Sequence, residues 1–211
     1  MILYETVMNE GVTEQIIEKS RFIAHVKPVE TKEEADEFIK EIKEEHKNAT
    51  HNVPIMVIGD KFQIQWASDD GEPSGTSGAP VVQMLVKEGI TNVAIVITRY
   101  FGGIKLGTGG LVRAYTSSAK LGLEKAGRAY MKELVSLRIK VDYSYLSIIQ
   151  NLAKNGDFRI GETNFTEKVS IQCLTEPEKL ATIVEQLAGV TNGKFEKEEE
   201  SLQIIKVEKE D

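Results

Sequence analysis

A glycine-rich segment between two cationic residues, Arg99 and Arg113, has the residue types that bind phosphate. Five glycines occupy the nine positions from Gly102 to Gly110. Glycine gives up side-chain packing and costs backbone entropy, so this density indicates positive φ angles or close backbone approach. A helical pattern over 111–126 follows the segment, which would place bare amides at a helix N-terminus. The candidate phosphate-binding residues are Arg99, Gly102, Gly103, Lys105, Gly107, Thr108, Gly109, Gly110, Arg113 and Lys120.

The glycine segment departs from both common nucleotide-binding motifs. P-loop spacing from Gly102 to Gly107 places Thr108 at the position of the lysine. A Rossmann motif that begins at Gly107 has Val112 where the third glycine belongs. Residues 106–110 are similar to the phosphate loop of GHMP-type small-molecule kinases. The alternative explanation for these glycines is close packing of a strand against a helix.

A second cluster, the acidic loop (residues 69–78), contains three carboxylates and three hydroxyls. The carboxylates Asp69, Asp70 and Glu72 are a candidate acidic site for Mg²⁺ or for general acid–base chemistry. The alternative, which we favour, is a turn stabilised by Asx hydrogen bonds, with Ser77 capping the next helix. Ser77 lies in Gly-Thr-Ser-Gly, which differs from the nucleophile elbow of serine hydrolases.

The three histidines do not form a pattern that binds metal. His46 and His51 are five residues apart across a predicted helix end, and His25 lies on a predicted strand. The chain has one cysteine, Cys173, and no H-E-x-x-H sequence. We therefore expect no metal ion and no cofactor, and we predict buried or capping roles for the histidines.

The composition indicates a globular protein with an uneven charge distribution. With 211 residues and 41% hydrophobic content, the chain can form one large or two small domains. No apolar run reaches the ~20 residues of a membrane span, the N-terminus lacks signal-peptide features, and one cysteine cannot form an internal disulfide. We expect a cytoplasmic protein without membrane contact. The net charge is -7, yet residues 99–128 contain six basic side chains and one acidic one, which favours selective phosphate binding.

Hydrophobic periodicity predicts two domains, residues 1–128 and 129–211, joined by a tight hinge near 126–130. In the first, an unalternating apolar run from Val93 to Thr98 predicts a strand buried on both faces. Thr31 and Glu34 form a capping box that predicts a helix start. The second domain has the order β-α-β-β-α-β, which is typical of ferredoxin-like folds. The acidic run 196–200 is predicted to be a solvated turn.

Four motifs, in the same order along the chain, resemble those of the IMPACT/YigZ family. From the N-terminus onward they are Ser20–Ile23, Ala49–Asn52, Asp69–Gly78 and Thr98–Tyr115. The resemblance covers essentially the whole chain. Val53 stands where cysteine is common in the family, which argues against a cysteine nucleophile.

The resemblance implies an α+β protein with two domains. The N-terminal α/β domain would resemble domain IV of elongation factor G, which has a ribosomal-protein and GHMP-kinase-like fold. The C-terminal domain would be ferredoxin-like. For this bacterial two-domain type, the resemblance implies a role in translation through binding to RNA or the ribosome. It implies no catalytic residues.

Three hypotheses follow for function. The first is a non-enzymatic, translation-associated factor that binds RNA or the ribosome through phosphate contacts at the glycine segment. The second is an enzyme that acts on a phosphorylated small molecule or nucleotide through the same segment, with Asp69, Asp70 or Glu72 as metal ligand or base. The third is an adaptor whose basic surface binds an acidic protein partner in translation control.

Overall fold

The computed structural model describes residues 1–209 in two compact units. The first unit contains Leu3–Met131 and the described residues from Lys206 onward. The second contains Lys132–Ile205 together with Met1 and Ile2. Both units combine helices with antiparallel strands, so the predicted α+β class is confirmed.

The elements up to residue 126, apart from the first strand, form a sheet with helices on both faces. In chain order they are β1 (Ile2–Val7), β2 (Gly11–Ile17), β3 (Ser20–Pro28), α1 (Lys32–Glu45), β4 (His51–Ile58), β5 (Ile64–Ala67), α2 (Gly78–Lys87), β6 (Val93–Tyr100) and α3 (Gly107–Ala126). Five of the strands form an antiparallel sheet in the order β2-β3-β6-β4-β5.

The central strand β6 is buried on both faces, as its unalternating sequence predicts. Val93, Ile95 and Ile97 pack with residues of α2 and α3 on one face of the sheet. Ala94 and Val96 pack against α1 on the other face. Complete burial of such aliphatic side chains stabilises a fold by roughly 1.5–3 kcal/mol each, so this three-layer core holds the ends of β6 and α3 in place.

The remaining elements belong mainly to the second unit. They are β7 (Arg128–Val141), α4 (Leu146–Ala153), β8 (Phe158–Phe165), β9 (Val169–Thr175), α5 (Leu180–Thr191) and β10 (Phe195–Glu208). Their sheet has the order β1-β7-β9-β8, and β10 also pairs with β7. Strand β7 begins at Arg128, where the second domain was predicted to start within one residue, and the units divide between Met131 and Lys132, inside this strand.

Three elements differ from the sequence predictions. Helix α3 begins at Gly107, four residues earlier than its apolar pattern indicates, so four residues of the glycine segment form its first turn. Strand β2 was not predicted. The acidic run 196–200 lies within β10, where Glu196 pairs with Lys168, and Glu198 accepts a hydrogen bond from the Ser170 hydroxyl. These partners offset the charge repulsion that suggested a turn.

Among the helices of residues 1–209, none combines the length and apolar character that crossing a membrane requires.

Candidate phosphate-binding site

Three segments meet at the start of α3: the hairpin turn between β2 and β3, the loop 101–106 and the first helical turn. The hairpin turn consists of Glu18 and Lys19, which have φ angles of 46° and 64°. At Gly102, an added Cβ would lie 2.0 Å from the Lys19 carbonyl carbon and oxygen. The loop therefore packs directly on the backbone of the hairpin turn, and only glycine fits at this position.

Two hydroxyl groups fix the path of the loop. The Ser20 hydroxyl oxygen accepts a hydrogen bond of 3.2 Å from the Gly102 amide. The Thr50 hydroxyl oxygen accepts one of 2.9 Å from the Phe101 amide. Gly103 and Gly107 have φ angles of 86° and 70°, in the left-handed region that favours glycine. These constraints allow the chain to turn from β6 into α3 within a few residues.

The three segments border a cleft of about 500 Å³. Its lining includes two cations, Lys105 and Arg113, and the side chains of both are exposed. Nη1 of Arg113 is 3.8 Å from the place that a Cβ would occupy on Gly109, so this guanidinium lies beside the first turn of α3. Neither cation has an ion-pair partner among residues 1–209. Their charges are therefore available to an anion in the cleft.

The exposed first turn of α3 completes this arrangement. Gly107, Thr108 and Gly109 are exposed, and Gly110 is half-buried. The cap position, Leu106, has no side chain that accepts a hydrogen bond from these amides. The first amides of a helix need acceptors from outside the helix, and anions supply them well.

Arg99 lies elsewhere, and its predicted role as a phosphate contact needs correction. Its side chain is buried, with 4% of the residue exposed. Nη1 donates a 2.7 Å hydrogen bond to Oε1 of Glu72, and the guanidinium carbon lies 5.3 Å from the Phe22 ring centroid. A buried charge is tolerated when it is paired, and Glu72 supplies the pair. Arg99 therefore stabilises the interior and does not face solvent.

Glu72 of the acidic loop is also internal. Besides Arg99, its Oε1 accepts a 2.7 Å hydrogen bond from the Tyr115 hydroxyl, and its Oε2 lies 3.7 Å from Nε2 of His51. His51 donates from Nδ1 to the Asp70 carbonyl oxygen at 2.8 Å. Burial raises the pKa of the Tyr115 hydroxyl, and the hydrogen bond to Glu72 raises it further. Glu72 thus links the acidic loop to β6, α3 and β4.

Asp69 caps helix α2, a role that we predicted for Ser77. Its Oδ1 accepts hydrogen bonds from the Ser77 hydroxyl at 2.6 Å and from the Gly78 amide at 3.0 Å. Oδ1 also accepts a bond of 3.2 Å from the Ser77 amide, and Oδ2 accepts one of 2.7 Å from the Gly75 amide. Burial raises the pKa of Asp69, but these hydrogen bonds together hold it below the usual range. Ser77 occupies the cap position, yet it donates to Asp69 and makes no capping bond of its own.

Asp70 likewise has internal partners. Its Oδ2 accepts a 2.6 Å hydrogen bond from the Asn52 amide, and its Oδ1 pairs with Lys43 at 2.9 Å. In the part of the chain that the structure describes, no three His, Cys, Asp or Glu residues are grouped to hold a metal ion. The three carboxylates of the candidate acidic site therefore act as turn, cap and core partners in this structure.

Lys120 lies apart from the cleft. It is two helical turns beyond Arg113 on α3, and its ammonium group is 3.1 Å from Oε1 of Glu88 at the end of α2. Of the four predicted cations, the structure brings Lys105 and Arg113 together, buries Arg99 and pairs Lys120 with an acid.

Sequence reasoning missed Ser20, His51 and Tyr115. The sequence did contain an indication that Arg99 is buried. Alternate residues of a strand share a face, so Arg99 lies on the same face of β6 as Val93, Ile95 and Ile97, which face α3. Tyr115 follows Leu111 by four residues and therefore lies on the same buried side of α3. Arg99 and Tyr115 were for this reason candidates to lie near each other. Nothing in the local sequence identified Glu72 as the partner of Arg99, because the two residues are 27 positions apart.

Comparisons with known proteins cover both parts of the chain. The family model of the Impact N-terminal domain matches residues 18–123, and the model of a domain of unknown function, DUF1949, matches residues 139–194. The chain is 43% identical over 199 residues to the IMPACT family member YvyE of Bacillus subtilis (strain 168), covering 94% of this chain and 92% of that protein. It is 32% identical over 194 residues to the IMPACT family member YigZ of Escherichia coli (strain K12), covering 91% and 92%.

A solved structure, described as the crystal structure of an hypothetical protein, is similar over 98% of both chains. It has 30% sequence identity to this chain and a TM-score of 0.57. The similarity therefore includes both units.

Proposed function

We propose a function from one premise: this chain belongs to the IMPACT family. We infer that it is a non-enzymatic, translation-associated factor that binds RNA or the ribosome through phosphate groups at the start of α3. The observation that carries this proposal is the pair of unpartnered cations, Lys105 and Arg113, beside the exposed glycine turn. The cations of the cleft and the helix N-terminal amides beside it match the charge and hydrogen-bonding capacity of phosphate.

The charge distribution supports selective binding. The protein as a whole carries a net charge of -7, so most of its surface repels a nucleic acid. A local cationic cleft on such a surface restricts contact to one place. The link to translation rests on the family resemblance and on its implied relation to elongation factor G.

We also propose closer relations for the two units. The order β10-β7-β9-β8, with one helix in each crossover, supports a ferredoxin-like C-terminal unit. For the N-terminal unit we propose the fold of elongation factor G domain IV, on the family resemblance.

The carboxylates argue for a binding function over an enzymatic one. Asp69, Asp70 and Glu72 each accept hydrogen bonds from groups of the protein itself. A catalytic base or metal ligand in this loop would have to give up such a bond before it could act on a substrate. The proposed phosphate contacts require no such rearrangement.

The test is binding to ribosomes, measured by sedimentation, and to a fluorescent RNA, measured by anisotropy, across a salt series. The negative slope of log K against log salt should become shallower by about 0.7–0.9 for each phosphate contact removed, in Lys105→Ala, Arg113→Ala and the double variant. Lys120→Ala is the matched control, because it removes a cation from the same helix outside the cleft. Equal slopes for all variants would contradict the proposal.

A nuclease step separates RNA from a protein partner. If ribosomal or cellular RNA carries the contact, digestion should abolish co-sedimentation. Co-sedimentation that survives complete digestion would favour the adaptor hypothesis.

A further inference from the structure

The cleft at the start of α3 has apolar walls as well as cations. Ile17 lies on one side, at the end of β2, and Ile104 and Leu106 flank Lys105 in the loop. Ile104 retains 37% exposure, although most large aliphatic side chains of this unit are buried. A site that held only the phosphate backbone would need no such walls, because phosphate and ribose gain little from apolar contact.

We infer that this cleft holds one unpaired nucleotide of a single-stranded RNA, an inference that rests on the proposed function. Its volume of about 500 Å³ lies within the range of roughly 300–1,000 Å³ that is usual for small-ligand sites. A base inserts into such a site when apolar side chains contact its faces and polar groups meet its edge.

The charges in the cleft orient the nucleotide. The phosphate lies against Lys105, Arg113 and the amides of the first turn of α3. Glu18 also lines the cleft, and its carboxylate repels phosphate. The same carboxylate accepts hydrogen bonds from the amino or imino groups of a base. The base therefore occupies the part of the cleft bounded by Glu18 and the aliphatic side chains.

The backbone around the cleft supports a built site. Glu18 and Lys19 both have positive φ angles, which cost roughly 1–2 kcal/mol per residue for side chains other than glycine. Two-residue hairpin turns of this kind usually contain asparagine and glycine. Here the turn instead places Glu18 in the lining of the cleft, and Gly102 packs the loop tightly against the backbone of Lys19.

A duplex would not satisfy this geometry, since its bases are stacked and paired. The inferred occupant thus predicts a preference that charge alone does not produce. Phosphate contacts by themselves would bind a duplex at least as well as a single strand, because a duplex carries the higher charge density.

The experiment compares three RNA probes of equal length by anisotropy at one salt concentration: a single strand of mixed sequence, its perfect duplex, and a strand with abasic positions. We expect the duplex and the abasic strand to bind at least about tenfold more weakly than the single strand. Ile104→Ala should weaken single-strand binding by roughly threefold to tenfold and leave the abasic strand unaffected.

Ile16→Ala is the matched control. Ile16 is an aliphatic residue of the same unit with 69% exposure, and it is not part of the cleft lining. Its substitution should leave all three affinities unchanged.

Two other outcomes are informative in different ways. Equal, salt-dependent binding of all three probes, unchanged by Ile104→Ala, would overturn the inference that the cleft holds an unpaired nucleotide. It would leave the phosphate-binding function intact. Absence of salt-dependent binding to every probe would overturn the proposed function and this inference with it. Circular dichroism of each variant establishes that it is folded.

Discussion

The glycine segment and the acidic loop look alike in sequence, yet the fold uses them in opposite ways. Both are rich in turn residues and charges, and both were candidate sites. The acidic loop directs its carboxylates inward, where Asp69 caps α2 and Glu72 pairs with Arg99. The glycine segment leaves Lys105 and Arg113 exposed and unpartnered. Charge density alone therefore does not identify a binding site. A charged side chain is available to a ligand only when no internal partner already pairs with it.

The contrast also appears within a single residue type. Arg99 and Arg113 are 14 positions apart, and both border the glycine segment. Arg99 shares a sheet face with the core, and Glu72 compensates its buried charge there. Arg113 lies on the exposed side of α3, where water or a bound anion can accept the hydrogen bonds of its guanidinium. We expect substitutions at the two regions to have different consequences: loss of stability in one, and loss of binding in the other.

The largest effect is expected for Glu72→Ala. This substitution leaves the Arg99 guanidinium buried without its carboxylate and the Tyr115 hydroxyl without its acceptor. Removing one partner of a buried ion pair costs about 3–5 kcal/mol of unfolding free energy. Urea denaturation followed by circular dichroism measures this loss.

Glu14→Ala is the control for Glu72→Ala, because Glu14 pairs with Arg21 at the same 2.7 Å distance but at the surface. Its cost should stay below about 1 kcal/mol. Similar losses for the two variants would mean that the Glu72 pair is no more important than a surface pair.

The next effect concerns a buried polar group that lacks a partner. His25 is buried on β3, its ring centroid is 5.0 Å from that of His46, and its Nε2 has no hydrogen-bond partner in the structure. Burial, assisted by the nearby His46, lowers the pKa of His25 from 6.5 to about 4. The unfolded chain therefore binds this proton at a higher pH than the folded protein does, and acidification favours unfolding.

We predict that this linkage removes about 3 kcal/mol of stability as the pH falls from about 6.5 to 4. Above pH 6.5 the histidine is neutral in both states and contributes nothing to the pH dependence. Urea denaturation at several pH values measures the slope, which should be flatter in His25→Gln than in the native sequence. Parallel slopes would show that His25 takes up its proton without penalty.

Much of the fold was predictable from local patterns, because burial of one or both faces of an element determines the spacing of its apolar residues. The strand Val93–Thr98 and the helix that starts after Thr31 are confirmed for this reason. The hairpin turn at Glu18 and Lys19 was not predictable, since neither residue is typical of a two-residue turn. The Arg99–Glu72 pair was missed because it joins residues that only the tertiary fold brings together.

For the site itself, the sequence indicated the correct segment but not the correct contacts. The glycines predicted close backbone approach, and Gly102 has it. The sequence could not separate the glycine required by packing from those that leave a surface open. Alanine substitutions at one glycine of each kind separate the two roles, and they give the smallest of the expected effects on stability.

Gly102→Ala and Gly109→Ala should change stability in opposite directions. At Gly102 the new methyl group meets the Lys19 carbonyl at 2.0 Å, so the loop or the hairpin turn must move, at a cost of about 1–3 kcal/mol. At Gly109 the nearest atom is Nη1 of Arg113, at 3.8 Å, and the position is helical. Alanine there should stabilise α3 by up to about 1 kcal/mol. Thermal unfolding of both variants measures the pair. Equal destabilisation would mean that the first turn of α3 is packed as tightly as the loop, and an open phosphate site at that turn would then be untenable.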